Sequence, residues 1–119
     1  MWTNVWTHAR PIHDLKKLID SDETALVYIY SPFCGHCIHG APIYNAAVAG
    51  LKNAFYFNAM PGNAAENRTV QMAFENITGL KIKYFPMLIG ISRDGRYIEY
   101  SGDINKGTLT NFKKALEKT

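Results

Sequence analysis

The sequence predicts an α/β domain: a mixed central sheet of four to five strands flanked by helices. Three observations carry that reading. Ala25–Tyr30 (ALVYIY), Ala54–Asn58 (AFYFN) and Met87–Ser92 (MLIGIS) are short apolar runs rich in β-branched and aromatic residues, the composition of buried strands. The segments between them place apolar residues at three- to four-residue steps, the helical period. Arg93-Asp94-Gly95-Arg96 has Asp-Gly at its centre and reads as a hairpin turn.

Along the chain, Thr3–Trp6 is read as a short edge strand. Pro11 opens a helix over about Ile12–Asp20, with Leu15, Leu18 and Ile19 on one stripe, and Ser21-Asp22-Glu23 is a polar turn. Ala25–Tyr30 is the central strand. Ser31-Pro32-Phe33 ends it, and a helix is expected from about Cys34 to Asn53, with Ile38, Ala41, Tyr44, Ala47 or Val48, and Leu51 facing inward and a kink at Pro42. Ala54–Asn58 is the next strand, and Pro61-Gly62-Asn63 turns the chain into a helix over Ala64–Ile77 that ends at Thr78-Gly79. Met87–Ser92 and Tyr97–Tyr100 form the hairpin. A closing amphipathic helix spans Lys106–Glu117, with Leu109, Phe112 and Leu116 on one stripe. Strands joined through helices are expected to be parallel and the last two antiparallel. Most aromatics (Tyr28, Tyr30, Phe55, Phe57, Phe74, Phe112) fall on core positions, while Trp2 and Trp6 are left to cover a sheet edge or meet a partner.

Composition narrows the function. In 119 residues, 47% hydrophobic and 19% charged, there is enough apolar mass for one core, and neither a repeat nor a linker divides it. A single domain over residues 1–119 is expected. Thirteen Lys and Arg against ten Asp and Glu leave +3, scattered along the chain, so no nucleic-acid footprint and no membrane-binding patch is expected. No apolar run approaches the roughly 20 residues of a membrane-spanning helix. The first residues carry no secretory signal pattern and the last no retention signal. A cytoplasmic location is therefore expected, with a virus particle or an oxidising compartment as the alternative. The sequons at Asn67 and Asn76 lie on an expected helix and are read as silent.

The two cysteines, Cys34 and Cys37, enclose only Gly35 and His36. A bridge over so small a loop constrains the unfolded chain little, so a chemical role is favoured over a stabilising one. On the first turn of a helix, residues at i and i+3 hold their Cβ atoms roughly 5–6 Å apart, and modest closure reaches disulfide geometry. Cys34, at the helix cap, gains most from unpaired N–H groups and the macrodipole, which favour its thiolate. That assigns Cys34 as the exposed nucleophile and Cys37 as the shielded, resolving thiol. A protonated His36 beside Cys34 favours the thiolate further, and Gly35 allows a partner chain to approach. His39 adds a fourth soft donor, but His36 and His39 project away from the cysteine face, so no metal site is expected within one chain. His8 and His13 are assigned no role.

With Tyr30-Ser31-Pro32-Phe33-Cys34-Gly35-His36-Cys37, Pro42 five residues on, Tyr84-Phe85-Pro86-Met87-Leu88, and Asp94-Gly95 followed by Gly102, the sequence resembles the thioredoxin superfamily, in particular the catalytic domains of protein disulfide isomerases. The resemblance covers about Thr24 to Leu116. It implies a thioredoxin-like fold and a protein thiol–disulfide oxidoreductase with a Cys-Gly-His-Cys redox pair. It implies a cis bond before Pro86 opposite the cysteines, with the Phe85 backbone holding a client's extended chain, and Phe33 at a position usually filled by tryptophan. No cofactor is implied. The expected partners are proteins carrying thiols or disulfides, together with an external electron donor or acceptor protein or glutathione, and a monomer is expected. The family's buried carboxylate six residues before the first cysteine is Tyr28 here, its lysine on the next strand is missing from Phe55-Tyr56-Phe57, and its threonine after the cis-proline is Met87. The alternative reading is a binding or structural module of the same fold with weak or lost turnover.

Overall fold

The computed structural model describes residues 23–118; the expected strand at Thr3–Trp6 and helix at Ile12–Asp20 lie outside them. Four strands and three helices follow in the order β1 (Ala25–Tyr30), α1 (Gly35–Ala47), β2 (Ala54–Asn58), α2 (Ala64–Thr78), β3 (Met87–Ile91), β4 (Tyr97–Tyr100) and α3 (Lys106–Glu117). Among the described residues the sheet runs β2-β1-β3-β4. It is the thioredoxin-like architecture, a mixed sheet with helices on both faces.

β1 is buried along its whole length, and its alternation separates two cores. Leu26, Tyr28 and Tyr30 enter one cluster with Cys37, Ala41 and Tyr44 of α1 and Leu109 and Leu116 of α3. Ala25, Val27 and Ile29 enter the other with Phe74 of α2, Phe57 and Ile89. Among the described residues β2 and β4 are the edges of the sheet, and β4 is half-buried throughout.

The strand directions correct one expectation. β2 is parallel to β1, but β3 runs antiparallel to β1 although a helix precedes it. β2 ends beside Tyr30 and β3 begins beside Ile29. The connection therefore leaves and re-enters at the same end of the sheet: α2 carries the chain across the face, and residues 79–86 carry it back. A helical crossover alone gives a parallel partner; the return segment reverses it.

The second correction is the length of α1. Its apolar spacing suggested continuation to Asn53, but it stops at Ala47. Gly50 (φ 87°) and Asn53 (φ 61°) take left-handed conformations, which end a helix. Val48 and Leu51 still pack against the core, and this is why their spacing imitates another turn. Asn53 then ties the start of β1, its carbonyl accepting from Leu26 N–H at 2.9 Å and its amide donating to Glu23 Oε2 at 3.0 Å. Within α1, Pro42 has no N–H to donate to the carbonyl of Ile38.

The other two helices begin at capping boxes, Asn63 with Glu66 and Asn105 with Thr108, and α2 ends at Gly79 in the left-handed region. Asn67, in one of the two sequons, is buried on α2 and its side chain accepts from Gly62 N–H at 2.9 Å. α3 lies directly on Gly90 of β3, where an added Cβ would come within 2.7 Å of both Leu116 and Phe112. Replacing Gly90 with valine is expected to push α3 off the sheet at a cost of about 1–3 kcal/mol. A lowered urea midpoint at unchanged slope is the measurement; an unshifted midpoint counts against this contact.

Candidate active site

The site grows out of the end of β1. Ser31 is buried and organises the turn: its carbonyl accepts from Cys34 N–H at 3.2 Å and its Oγ from Phe33 N–H at 3.3 Å. This turn delivers Cys34 to the cap of α1 in extended conformation (φ −95°, ψ 114°), where its Sγ accepts from Cys37 N–H at 3.2 Å. A sulfur in this place takes the role that serine or aspartate oxygens usually fill, satisfying one of the free N–H groups of the first turn. The interaction strengthens as the sulfur gains negative charge, and the first turn of α1 holds no acidic residue to oppose it.

The two thiols differ sharply. Cys34 is partly exposed and Cys37 fully buried. Burial, and then the hydrogen bond shared with Cys34, push the Cys37 thiol up to about 12. An accessible sulfur at a helix cap and a protonated sulfur one turn behind it therefore stand in one hydrogen-bonded unit.

The remaining expected site residues are distributed around this pair. Gly35 opens α1, with nothing within 4 Å of where a Cβ would lie, so a partner chain meets no side chain there. His36 is exposed on the same turn, and His39 is exposed one turn on. Phe33, 80% exposed, stands immediately before Cys34. The Phe85–Pro86 bond is cis. Met87, the next residue, pairs with Ile29, so Pro86 lies at the end of the sheet from which the cysteine helix starts. Phe85 is half-buried and packs against both cores. Among the described residues no three His, Cys, Asp or Glu side chains gather to hold a metal ion.

Tyr28 supplies a contact that sequence reasoning missed. Its hydroxyl donates to the carbonyl of Cys37 at 3.0 Å, within the protein. It stacks on Tyr44 (centroids 4.9 Å apart, 28° between planes) and meets Tyr56 edge-on at 5.8 Å. Tyr44 in turn donates to Phe55 O at 3.2 Å, and Tyr56 to Asn45 Oδ1 at 3.2 Å. Burial above all, and then the neighbouring cysteines, hold the Tyr28 hydroxyl above the usual tyrosine range, so it stays uncharged. One signal for this contact was present in the sequence. Gly40 is a poor choice inside a helix, and it is there because an added Cβ would come within 2.7 Å of Tyr28 Oη.

Comparison with known proteins agrees with this architecture. The thioredoxin family model matches residues 13–115. The chain is 31% identical over 97 residues to protein disulfide isomerase-like 1-4 of Arabidopsis thaliana, covering 82% of this chain and 15% of that protein. It is 32% identical over 88 residues to the protein disulfide-isomerase A6 homolog of Drosophila melanogaster, covering 73% and 19%. The chain thus spans less than a fifth of the length of these relatives. Among solved structures, the J-Trx1 fragment of ERdj5 superposes with a TM-score of 0.66 at 22% identity, over 90% of this chain and 49% of that one. Thioredoxin of Fasciola hepatica superposes with 0.60 at 19%, over 88% and 93%.

The asymmetry of the thiols has a direct chemical readout. Limited alkylation of the reduced, folded protein with iodoacetamide near neutral pH is expected to place a single adduct on Cys34, with Cys37 labelled only after unfolding. Peptide mass mapping checks this; equal labelling of both thiols in the folded protein would contradict the assigned burial.

Proposed function

The chain belongs to the thioredoxin family, and from that premise we propose that it is a thiol–disulfide oxidoreductase acting on protein clients through Cys34 and Cys37. The observation that carries the reading is the capped pair: the accessible Cys34 sulfur accepts the backbone N–H of Cys37, whose own thiol is buried, at 3.2 Å.

In the reducing direction the Cys34 thiolate attacks one sulfur of a client disulfide. A Cys34–client disulfide forms and the client's other sulfur leaves as a thiolate. Cys37 then loses its proton and attacks Cys34 Sγ. The Cys34–Cys37 disulfide forms, the mixed disulfide breaks, and the client departs reduced by two electrons. Run backwards, the same steps oxidise a client dithiol. After client reduction, two glutathione molecules or a partner protein's dithiol reduce the Cys34–Cys37 disulfide and are themselves oxidised to a disulfide; after client oxidation, glutathione disulfide or a partner's disulfide accepts the two electrons. No cofactor takes part, since the electrons travel in the sulfur–sulfur bonds.

The surrounding residues fit supporting roles. His36, when protonated, adds positive charge beside Cys34. Phe33 offers an exposed aromatic face to apolar groups next to the client's sulfur. The backbone at Phe85, ahead of Pro86, offers main-chain hydrogen bonds to an extended client segment in the manner of strand addition. The alternative reading, a module that binds such clients with little turnover, is favoured by one observation: Tyr28, an uncharged hydroxyl, occupies the interior beside Cys37.

Insulin-disulfide reduction with dithiothreitol as electron source tests the proposal by turbidity. Wild type is expected to accelerate precipitation, and Cys34→Ser to fall to the uncatalysed rate; equal rates for the two would reject the enzymatic reading. In a separate measurement, Cys37→Ala is expected to accumulate client adducts on non-reducing gels, because the resolving thiol is gone. A lane without such adducts argues that Cys34 does not engage clients.

A further inference from the structure

Resolution of a mixed disulfide requires Cys37 to give up a proton, so what surrounds that thiol decides how long a client stays attached. Its side chain is fully buried. From its own helix it meets Cys34, and the backbone at Ser31 also reaches it. The titratable groups packed into the same core are tyrosines: Tyr28 and Tyr30 of β1, Tyr44 of α1, Tyr56 of β2 and, at the rim, Tyr100 of β4. Tyr28 donates to the carbonyl of Cys37 itself, Tyr44 to Leu26 O and Phe55 O, and Tyr56 to Asn45.

Groups that accept a proton near neutrality lie elsewhere. Among the described residues the one buried charged side chain is Lys113 on α3, whose Nζ donates to Thr24 Oγ1 at 2.6 Å. Thr24 immediately precedes β1, at the opposite end of that strand from the cysteine turn. Of the described carboxylates, only Glu99 is less than exposed. It pairs with Ile89, so it faces the α2 side of the sheet, and it accepts the hydroxyl of Tyr84. His36 and His39 are exposed on α1. Among the described residues, the interior beside Cys37 therefore holds an anchored hydroxyl and neither a carboxylate nor an imidazole. The helix is shaped around that hydroxyl, since any Cβ at Gly40 would collide with it.

We propose that, because Tyr28 fills the interior beside Cys37 with a side chain that supplies no base, client release depends on hydroxide from solvent, so that this site keeps its client as a long-lived covalent adduct at neutral pH. The inference rests on the reading of Cys34 and Cys37 as a redox pair. The step it governs is the second one: hydroxide removes the Cys37 proton as water, the thiolate attacks Cys34 Sγ, the Cys34–Cys37 bond forms as the Cys34–client bond breaks, and the client leaves as a thiolate. The rate follows the small ionised fraction of Cys37. Burial, the largest cause that keeps the proton on Cys37, persists while Cys34 is bonded to the client, and well below half-ionisation that fraction rises about tenfold per pH unit.

Single-turnover mixing of the reduced 119-residue chain with one equivalent of dithiobisnitrobenzoate, an aromatic disulfide that releases a coloured thiolate, separates the two steps. The first release reports attack by Cys34 and the second reports resolution by Cys37. In wild type the second release is expected to accelerate about tenfold per pH unit from about pH 6 to about pH 10, without a plateau. Tyr28→Phe fills the same space, again without a base, and is expected to keep that slope. Tyr28→Glu, which places a base there, is expected to speed the second release at least about tenfold near pH 7 and to flatten its pH profile. A wild-type plateau below about pH 9 overturns the proposal. So does a folded Tyr28→Glu with wild-type rate and slope, and if that variant fails to fold, the wild-type and Tyr28→Phe profiles decide alone. Absence of the first release overturns the oxidoreductase reading instead, which keeps the two failures distinct.

Discussion

β1 is covered on both faces, and the geometry of everything else follows from that constraint. Six consecutive buried residues must each find a partner surface. Period-two alternation sends Leu26, Tyr28 and Tyr30 toward α1 and α3 and the odd-numbered residues toward α2. β2 and β3 complete its hydrogen bonds on either side. Where such a strand ends, the chain leaves a rigid, fully paired element, so the Ser31 turn and the first residues of α1 inherit a fixed position. Cys34 and Pro86 both lie at that end because β1 feeds one and pairs with the strand that follows the other. The chemistry thus stands on the least deformable part of the molecule.

The two thiols show how one helix turn produces opposite environments. Moving three residues along α1 takes the side chain from the partly exposed cap into the interior of the core. At the cap, Sγ receives an N–H that no other group on the helix can use, and negative charge strengthens that bond. In the interior, the cost of desolvating a thiolate dominates and the proton stays. Tyr28 reinforces the second environment while holding its backbone, since its hydroxyl spends its donor on the Cys37 carbonyl. The aromatic stack of Tyr28, Tyr44 and Tyr56 fixes that hydroxyl in turn, each pair lying 4.9–5.8 Å apart, distances at which ring quadrupoles favour offset and edge-on contacts.

Much of this was legible in the residues themselves, for physical reasons that differ from element to element. ALVYIY gave correct strand limits because a strand buried on both faces is apolar throughout and polar Ser31 follows it; AFYFN matched β2, a partly buried strand whose last residue is Asn58. The closing helix was bounded correctly because its stripe of Leu109, Phe112 and Leu116 keeps strict helical period. α1 was overextended because Val48 and Leu51 pack on the core from an irregular segment whose spacing imitates a helix. The direction of β3 was not legible at all: residues 79–86 carry no periodic pattern, and only the paired register tells that they return the chain to its starting end. For the site, the cysteine spacing and Phe85-Pro86 stand out locally in sequence. The Tyr28–Cys37 bond does not, because it joins residues on different elements nine positions apart, and a tyrosine in an apolar run looks like any other core aromatic.

The buried charge of Lys113 does little to the cysteines, and magnitudes show why. The buried ammonium of Lys113 lies near the start of β1, one strand length from the site. At 3.3 Å per residue six residues span roughly 20 Å. Two unit charges at that separation interact by about 0.8 kcal/mol at an effective dielectric near 20, and salt with a Debye length of about 8–10 Å reduces this further. A hydrogen bond to a charged acceptor contributes about 1.5–3 kcal/mol, and Cys37 N–H makes one to Cys34 Sγ at 3.2 Å once that sulfur is ionised. The local cap therefore outweighs the distant cation, and Lys113 instead serves the fold: its bond to Thr24 ties α3 to the first residue of the central strand. Among the described residues, the pole of the sheet opposite the cysteines carries the one buried charge, and the pole that carries the cysteines holds none.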